Sequence, residues 1–214
     1  MKRIIFLGGL IILSAAGAAR ADYYLQVQGA YALPTAKTLS GGIGAGLAAG
    51  WELSPQVSVE LGIRSLCLSS ANSVEGLSLG RLWALPVEAV LKGRLPLGSN
   101  LNLVGEAGAG YAIHSFKPDK DFVADWSAVG FDIVESVKNG VAVHFGAGCE
   151  YVLSPTLSLD FTVRYFILPT TGEWSITDAH SGETASGTLN NLSFDSFTFS
   201  LGLKIALSGS GESR

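Results

Sequence analysis

The sequence predicts an all-β fold, an eight-stranded antiparallel up-and-down transmembrane β-barrel. Three observations support this prediction. The 214-residue chain is 48% hydrophobic and only 15% charged, with a mean hydropathy of +0.37. After residue 21, however, it contains no apolar run long enough to cross a membrane as a helix, which takes about 18 residues. Apolar and polar residues instead alternate along most of the chain, and short turns alternate with long connections, as in barrels that span a membrane.

The first 21 residues are expected to be a secretory signal peptide. Lys2 and Arg3 form a positively charged start, residues 4–13 an apolar core, and residues 19–21 (Ala-Arg-Ala) a small-x-small cleavage site. We expect cleavage after Ala21; the alternative is an N-terminal membrane anchor. The cleaved chain has 11 basic and 18 acidic residues. Its net charge of about −7 argues against a nucleic-acid partner.

A turn followed by an amphipathic strand recurs along the chain. In residues 57–67 (VSVELGIRSLC) the odd positions are mostly apolar and the even positions mostly polar, and residues 157–167 repeat the pattern. The two copies also align through their turns, LSPQVSVELGIR over LSPTLSLDFTVR, and LGSNLNLVGE (97–106) is a weaker third copy. Repeated copies of this unit indicate a meander of hairpins.

The same pattern places eight strands of 11 to 15 residues, long enough to cross a membrane when tilted. Tight turns near residues 54–55, 98–99 and 154–155 put both termini at the short-turn, periplasmic end. Pro86 lies inside the fourth strand without an N–H for pairing, so we expect a bulge there or a later start of that strand. The predicted strands span residues 23–33, 41–53, 57–68, 81–95, 101–114, 140–153, 157–168 and 193–207.

The third of the four long connections, which span residues 34–40, 69–80, 115–139 and 169–192, has an apolar stripe of its own. The spacing of the stripe fits a short helix folded over the barrel mouth. The other interpretation is that both flanking strands extend beyond the membrane. The stripe consists of Phe122, Trp126, Val129, Ile133 and Val137.

The distribution of charge indicates that the apolar face is the outer one. A soluble barrel, the alternative, would need more Lys and Glu on its polar face. That face instead carries small residues such as Gly50 and Gly108, which fit a crowded interior. The only charged residues on the apolar face are Arg81 and Asp195, at the expected outer ends of their strands. We therefore expect a paired, buried charge network inside the barrel, formed by Glu52, Glu60, Arg64, Glu88, Lys92, Arg94, Glu106, Glu150, Asp160, Arg164 and Lys204.

The outward aromatic residues are expected to form two interfacial girdles. Trp51 and Tyr151 take equivalent places near the short turns, and the others, Trp83, Tyr111, Tyr165 and Phe197, lie toward the opposite ends. Cys67 and Cys149 fall on strands that are not neighbours, so no disulfide is expected between them, and each is interpreted as a small hydrophobic residue.

Segment 153–166 (LSPTLSLDFTVRYF) resembles the outer-membrane β-barrel superfamily that includes the OmpA-like and OmpX-like barrels of Gram-negative bacteria. The last strand is similar to the signal read by the barrel assembly machinery, through Gly202, Ile205 and Leu207, although a polar tail (208–214) follows it. The resemblance implies a barrel over residues 22–207 in the bacterial outer membrane. It also implies contact with membrane lipid, with lipopolysaccharide and, during biogenesis, with the assembly machinery.

A catalytic or metal site is not expected. His114 is followed by Ser115 and Phe116, which does not match the His-x-Ser-Asn arrangement of lipid A deacylases. Glu106 is about 26 Å away along the same strand. His144 and His180 are interpreted as an ordinary interior and an ordinary loop histidine. No nucleotide or metal-binding spacing occurs, and no cofactor is expected.

Four functions follow from these features. The first is a non-enzymatic outer-membrane barrel with a structural or surface-interaction role through its long outer loops. The second is a small passive channel or carrier for a small or apolar solute, limited by the narrow interior of eight strands. The others are a soluble periplasmic ligand-binding barrel and a lipid-modifying enzyme.

Overall fold

The computed structural model describes residues 22–37, 39–70 and 80–207. Eight antiparallel strands form a closed barrel in the order β1-β2-β3-β4-β5-β7-β8-β11, and β11 closes it by pairing with β1. The predicted fold class is therefore confirmed. Along the chain the elements are β1 (Asp22–Pro34), β2 (Leu39–Ser54), β3 (Val57–Ser70), β4 (Gly80–Pro96), β5 (Leu101–Pro118), α1 (Lys120–Ala128), β6 (Phe131–Val137), β7 (Gly140–Ser154), β8 (Leu157–Ile167), β9 (Pro169–Asp178), β10 (Thr184–Ser193) and β11 (Ser196–Leu207).

The alternation in the sequence becomes an alternation of burial. From Leu82 to Arg94 in β4, every even position is buried and every odd position is exposed or half-buried. The outward face is apolar, because residues such as Leu47 (58% exposed) and Leu201 (60% exposed) point away from the interior. Such a surface suits acyl chains and not water. Among the described residues, no helix is long and apolar enough to cross a membrane.

The repeated Leu-Ser-Pro segments form tight turns through their serine side chains. The hydroxyl of Ser54 accepts hydrogen bonds from the backbone N–H groups of Gln56 (3.3 Å) and Val57 (3.1 Å). The Ser154 hydroxyl accepts one from Thr156 in the same way (3.3 Å). A side-chain oxygen that bonds the backbone two or three residues ahead is a common turn device. These turns lie at the end of the barrel where β1 begins and β11 ends.

Three predictions about strand ends and irregularities are wrong. β4 neither bulges nor starts late at Pro86, because the β3–β4 register is the same on both sides of it and only the ladder pairs beside the proline are missing. The last barrel strand begins at Ser196, not at residue 193, because Ser193 ends β10. The predicted long connection 169–192 contains two strands, β9 and β10.

A three-stranded sheet, in the order β6-β9-β10, rises above the long-connection end of the barrel. It continues the barrel wall formed by β7, β8 and β11, since β9 follows β8 after one residue and β10 pairs with β9 down to Ser193. The backbone N–H of Phe194 donates to the carbonyl of Leu168 (3.1 Å), which closes the gap between barrel and sheet. We call β6, β9 and β10 the outer sheet.

Both interpretations of residues 115–139 are partly confirmed. Helix α1 contains Phe122 and Trp126, and β5 extends to Pro118. Ile133 and Val137, however, lie in β6 and not in a helix. Asp119 caps the N-terminus of the helix, because its carboxylate accepts a hydrogen bond from the Asp121 N–H (2.9 Å). The chain leaves it through Gly130, at φ +88°. The predicted signal peptide and polar tail lie outside the described residues.

Candidate functional site: the barrel interior and the outer sheet

The interior near the short turns is filled by a cation-and-carboxylate layer around Tyr24. The Tyr24 hydroxyl donates to Glu60 (2.7 Å), and the Lys204 ammonium lies 4.3 Å from the centre of the tyrosine ring. Gly50 lies so close to this ring that a Cβ atom there would overlap it. The charged groups pair across the barrel, Arg94 with Glu52 (3.1 Å) and Glu150 (3.2 Å), and Lys204 with Glu52 (2.8 Å) and Glu150 (3.4 Å).

The middle of the interior is organised by Lys92 and Arg164. The Lys92 ammonium lies 2.8 Å from Glu60 and 3.6 Å from each of Glu106 and Asp160. The Arg164 guanidinium pairs with Glu106 and donates to Gln28 (3.2 Å) and Ser200 (2.5 Å). Each cation therefore contacts several strands at once.

The upper boundary of the polar interior is formed by His144. Its Nδ1 lies 2.5 Å from Glu88, its Nε2 lies 3.7 Å from Glu106, and its ring packs on Phe166 with the centroids 4.9 Å apart. Gly108 leaves the space that the imidazole occupies. Arg64 pairs with the other oxygen of Glu88 (2.8 Å).

The structure brings together all eleven residues of the predicted interior network. Ten are buried, and Glu52, at the short-turn mouth, is half-buried with 28% of its side chain exposed. Each takes part in at least one ion pair. The uncharged partners of this network were not predicted, although they lie on the same inward-facing phase of their strands. They are Tyr24, Gln26, Gln28, Ser58, Thr162 and Ser200.

The outer half of the interior is apolar, which the sequence analysis did not predict. His114 lies in it, with its ring against Phe194 (5.7 Å) and Nδ1 2.9 Å from the Lys138 carbonyl. The signal was present in the sequence, because residues 66–68 and 165–168 are apolar at both odd and even positions. We call the cluster of buried apolar side chains in the outer half of the barrel the apolar layer. Its most buried large members, at most 2% exposed, are Leu66, Leu68, Leu82, Phe166, Leu168 and Phe194.

The outer sheet has one mainly apolar face, which also carries Glu135 opposite Trp174, and one polar face. On the first face Ile133, Trp174 and Ile176 are half-buried, and at its base Val137 and Leu189 pack onto the apolar layer. Helix α1 adds Trp126, whose ring lies 5.9 Å from that of Phe131. The opposite face carries mainly exposed or half-buried polar residues, which are Asp132, Ser136, Glu173, Ser175, Thr177, Thr184, Ser186 and Thr188.

The tip of the β9–β10 hairpin is held by Asp178. Its carboxylate accepts hydrogen bonds from the backbone N–H groups of His180 (2.8 Å) and Ser181 (3.4 Å). These bonds, first of all the one from His180, hold the pKa of Asp178 below its usual range because they favour the charged form. Gly182 follows at φ +73°.

The predicted aromatic residues all lie on the outward phase. Trp83 (46% exposed), Tyr111 (52%), Tyr151 (47%) and Phe197 (46%) are exposed. The two half-buried ones are Trp51, which contacts Tyr23 at 6.2 Å, and Tyr165, which contacts Phe197 at 4.9 Å. Cys67 and Cys149 are free thiols. In the last strand Gly202 points inward, and Ile205 and Leu207 point outward.

The sequence matches the family model for the outer membrane protein beta-barrel domain over residues 4–204. The chain belongs to this family. It is therefore an outer-membrane β-barrel protein. This confirms the predicted family and the predicted outer-membrane location, whereas the cleavage site after Ala21 stays a prediction. None of the curated proteins matches the sequence significantly.

The solved structures that resemble this outer-membrane protein show the same fold at low sequence identity. Outer membrane protein OprG from Pseudomonas aeruginosa has a TM-score of 0.65 at 16% identity, over 90% of this chain and 99% of that one. A major outer membrane protein from Thermus thermophilus has a TM-score of 0.57 at 15% identity, over 86% and 99%. Neisserial surface protein A has a TM-score of 0.54 at 14% identity, over 86% and 96%.

Proposed function

We propose that this outer-membrane protein is a closed, non-enzymatic barrel that serves as a surface platform. In this proposal the barrel anchors the chain, and the outer sheet with helix α1 interacts with macromolecules outside the cell. The observation that carries the proposal is the difference between the barrel interior and the outer sheet. The described interior is filled by paired charges and the apolar layer, whereas Trp174 and Ile176 of the outer sheet are only half-buried.

The filled interior argues against a water-filled channel. A hydrated solute would have to separate ion pairs such as Arg64–Glu88 and Lys92–Glu60, whose side chains are at most 5% exposed. Removing the partner of a buried charge costs about 3–5 kcal/mol. The solute would then meet the apolar layer, which offers no hydrogen bonds to replace its water.

The non-enzymatic part of the proposal rests on the surroundings of the histidines. His114 is held by a backbone carbonyl and an aromatic ring, and His144 by two carboxylates. Within the described part of the chain, neither forms a hydrogen bond with a hydroxyl or thiol that it would activate as a nucleophile. Among the described residues no three His, Cys, Asp or Glu side chains are grouped to hold a metal ion.

The outer sheet suits binding because it is preorganised. Its strands continue the barrel wall, and its base is fixed by Val137, Gly172 and Leu189. A surface that is already ordered loses little conformational entropy on binding. Half-exposed aromatic side chains, here Trp126 and Trp174, are enriched in interfaces. The proposed partners are lipopolysaccharide and macromolecules at the surface of other cells. In biogenesis, the barrel assembly machinery recognises the last strand.

The test is a truncation of the β9–β10 hairpin that leaves the barrel intact. Residues 174–187 are replaced by Asn-Gly, which joins Glu173 to its cross-strand partner Thr188 by a two-residue turn. Cells that display either protein are applied to immobilised lipopolysaccharide, extracellular-matrix proteins and glycans. We expect cells with the full sheet to bind at least one surface and cells with the truncated sheet to lose it. Equal binding by the truncated protein, or no binding above empty cells, contradicts the proposal.

A second candidate is a carrier for an apolar solute, favoured by the composition of the apolar layer. Val137, Leu189 and Leu192 connect this layer with the base of the mainly apolar face of the outer sheet. An apolar molecule therefore meets a largely apolar surface on the way to the barrel mouth, with Glu135 as a charged side chain on that face. Uptake of a fluorescent fatty-acid analogue into protein-containing vesicles tests it. A carrier accelerates uptake and is slowed by Leu68→Asn, which adds a polar group to the apolar layer. A rate equal to that of empty vesicles excludes it.

A further inference from the structure

The membrane-facing phase of the described barrel strands carries two charged residues, Arg81 in β4 and Lys117 in β5. Both are exposed, and both are cations. Since β5 extends to Pro118, well past its predicted end, the β4–β5 register places Arg81 directly opposite Lys117. Every other membrane-facing position in the described part of the eight strands is uncharged. Asp195, which was expected on this face, lies before the start of β11, and its carboxylate accepts a hydrogen bond from the Leu168 N–H (2.8 Å).

The two cations lack partners within the described part of the protein. Neither Arg81 nor Lys117 takes part in an ion pair with another described residue. Neither side chain makes any other electrostatic contact within the described part of the chain. Asp119 is the nearest acid to Lys117 along the chain, and its carboxylate caps helix α1. The nearest acids to Arg81 along the chain are Glu75, which lies outside the described residues, and Glu88, which is buried in the barrel interior. Like charges directly opposite each other on neighbouring strands are destabilising, with their Cβ atoms about 5 Å apart. An anion that contacts both side chains reverses this repulsion.

The strip of surface below the pair identifies the environment of that anion. Along the same face of β4 and β5, the cross-strand pairs run from Val87 with Tyr111, through Leu85 with Ile113 and Trp83 with Ser115, to Arg81 with Lys117. Toward the outer end of the barrel, these pairs change from mainly apolar, to the pair that contains Trp83, and then to the two cations. Trp83, 46% exposed, lies about 7 Å below the arginine along the strand. An outer leaflet presents acyl chains, an interface and then phosphates in the same order.

We propose that Arg81 and Lys117 form a binding site for the phosphate groups of outer-leaflet lipopolysaccharide, with Trp83 at the level of the sugar–acyl boundary. The arginine guanidinium forms paired, charge-assisted hydrogen bonds to phosphate, and the lysine adds a second charge. The site fixes the depth of this side of the barrel in the outer leaflet. It depends on the barrel orientation, with the long connections outside, and not on binding by the outer sheet.

The test compares two double variants that each remove two positive charges from the outer end. R81Q/K117Q removes the pair, and K37Q/K120Q, the matched control, removes two exposed lysines that lie outside the barrel strands. A third variant, R81K/K117R, keeps both charges. Native mass spectrometry and titration of the folded, detergent-solubilised proteins measure retention of bis-phosphorylated lipid A, of the same lipid A after dephosphorylation, and of inorganic pyrophosphate.

We expect R81Q/K117Q to bind bis-phosphorylated lipid A roughly 10- to 30-fold more weakly than the wild type, since each cation near an anionic surface contributes to binding. The control and the charge-preserving variant stay within about twofold. Four results overturn the proposal. The first three are unchanged binding by R81Q/K117Q, an equal loss in K37Q/K120Q, and equal binding of dephosphorylated lipid A. The fourth is pyrophosphate binding as tight as that of lipid A, because the site then selects a free anion. All variants keep the outer sheet, so the outcome is independent of the hairpin truncation.

Discussion

Replacement of Arg164 by methionine tests the buried charge network most sharply. The guanidinium is 1% exposed and contacts Glu106, Gln28 and Ser200 on three other strands. Methionine fills much of the volume and supplies none of these contacts. Glu106 then keeps Lys92 (3.6 Å) and His144 (3.7 Å) as longer-range ion-pair partners. Removing one member of a buried pair costs about 3–5 kcal/mol, and we expect R164M to lower the free energy of unfolding by that amount.

The double variant R164M/E106L distinguishes two causes of this loss of stability. One is the missing attraction between Arg164 and Glu106, and the other is the Glu106 carboxylate left buried without its partner. The double variant removes both partners, while Lys92 keeps Glu60 (2.8 Å) and Asp160 (3.6 Å). We therefore expect it to be more stable than R164M alone, because no carboxylate is left buried without its main partner. Breaking the exposed Lys138–Glu173 pair by K138Q is the control, with a loss of less than about 1 kcal/mol.

The assay is urea unfolding in lipid vesicles, followed by tryptophan fluorescence and by the gel-mobility shift between unheated and boiled samples. A loss below about 1 kcal/mol in R164M would show that the network contributes no more than weak surface ion pairs do, which contradicts the prediction. A double variant that is less stable than the single one would contradict it as well.

Three further predictions concern the layers around this network. F166A removes a ring that is 1% exposed in the apolar layer and should cost about 3–5 kcal/mol, whereas F145A, on the membrane-facing side of β7, should cost much less in the same unfolding assay. G50L should prevent a folded, heat-shifted band because its side chain overlaps the Tyr24 ring, while G29L, which meets nothing within 4 Å, should fold. The pKa of Asp178 is lowered on folding, so its carboxylate stabilises the hairpin tip above the ordinary aspartate pKa of about 3.9 and loses this effect as the pH falls through the lower folded value. The amide NMR signal of His180 should shift over that range in the wild type and not in D178A; the same shift in D178A would contradict the assignment.

The inner half of the barrel was predictable from the sequence because its two phases differ in kind. Charged and small residues occupy the inward-facing positions, and large apolar residues occupy the outward-facing ones. The odd–even alternation along each strand was therefore enough to place Arg64 and Lys92 inside the barrel. The Leu-Ser-Pro repeats gave the turns, since their serines bond the local backbone. Periodicity is reliable where the two faces meet different surroundings.

The outer half was less predictable for the same reason. In residues 165–168 both phases are apolar, because one meets lipid and the other the apolar layer. The hairpin residues 184–193 are mostly Thr, Ser, Asn and Gly, and the contrast between their faces depends on Trp174 across the sheet from Gly187. The bulge or late strand start predicted at Pro86 is absent, because β4 tolerates missing ladder bonds on the β3 side while its pairing with β5 continues. Contacts between distant segments decide these cases.

The role of His144 also depended on the fold. Its sequence position indicates only an inward side chain. The barrel brings it between Glu88 of β4 and Glu106 of β5, both far away in sequence. It therefore belongs with the eleven predicted charged residues as a part of the interior network.

Conductance across a planar lipid bilayer shows whether the barrel interior is closed. Purified protein that shows the folded, faster-migrating gel band is inserted into the bilayer, and the current is recorded under an applied voltage. We expect no stepwise openings above the protein-free bilayer, because paired charges and the apolar layer fill the interior of the described barrel. Steady openings whose number increases with the amount of folded protein would contradict it.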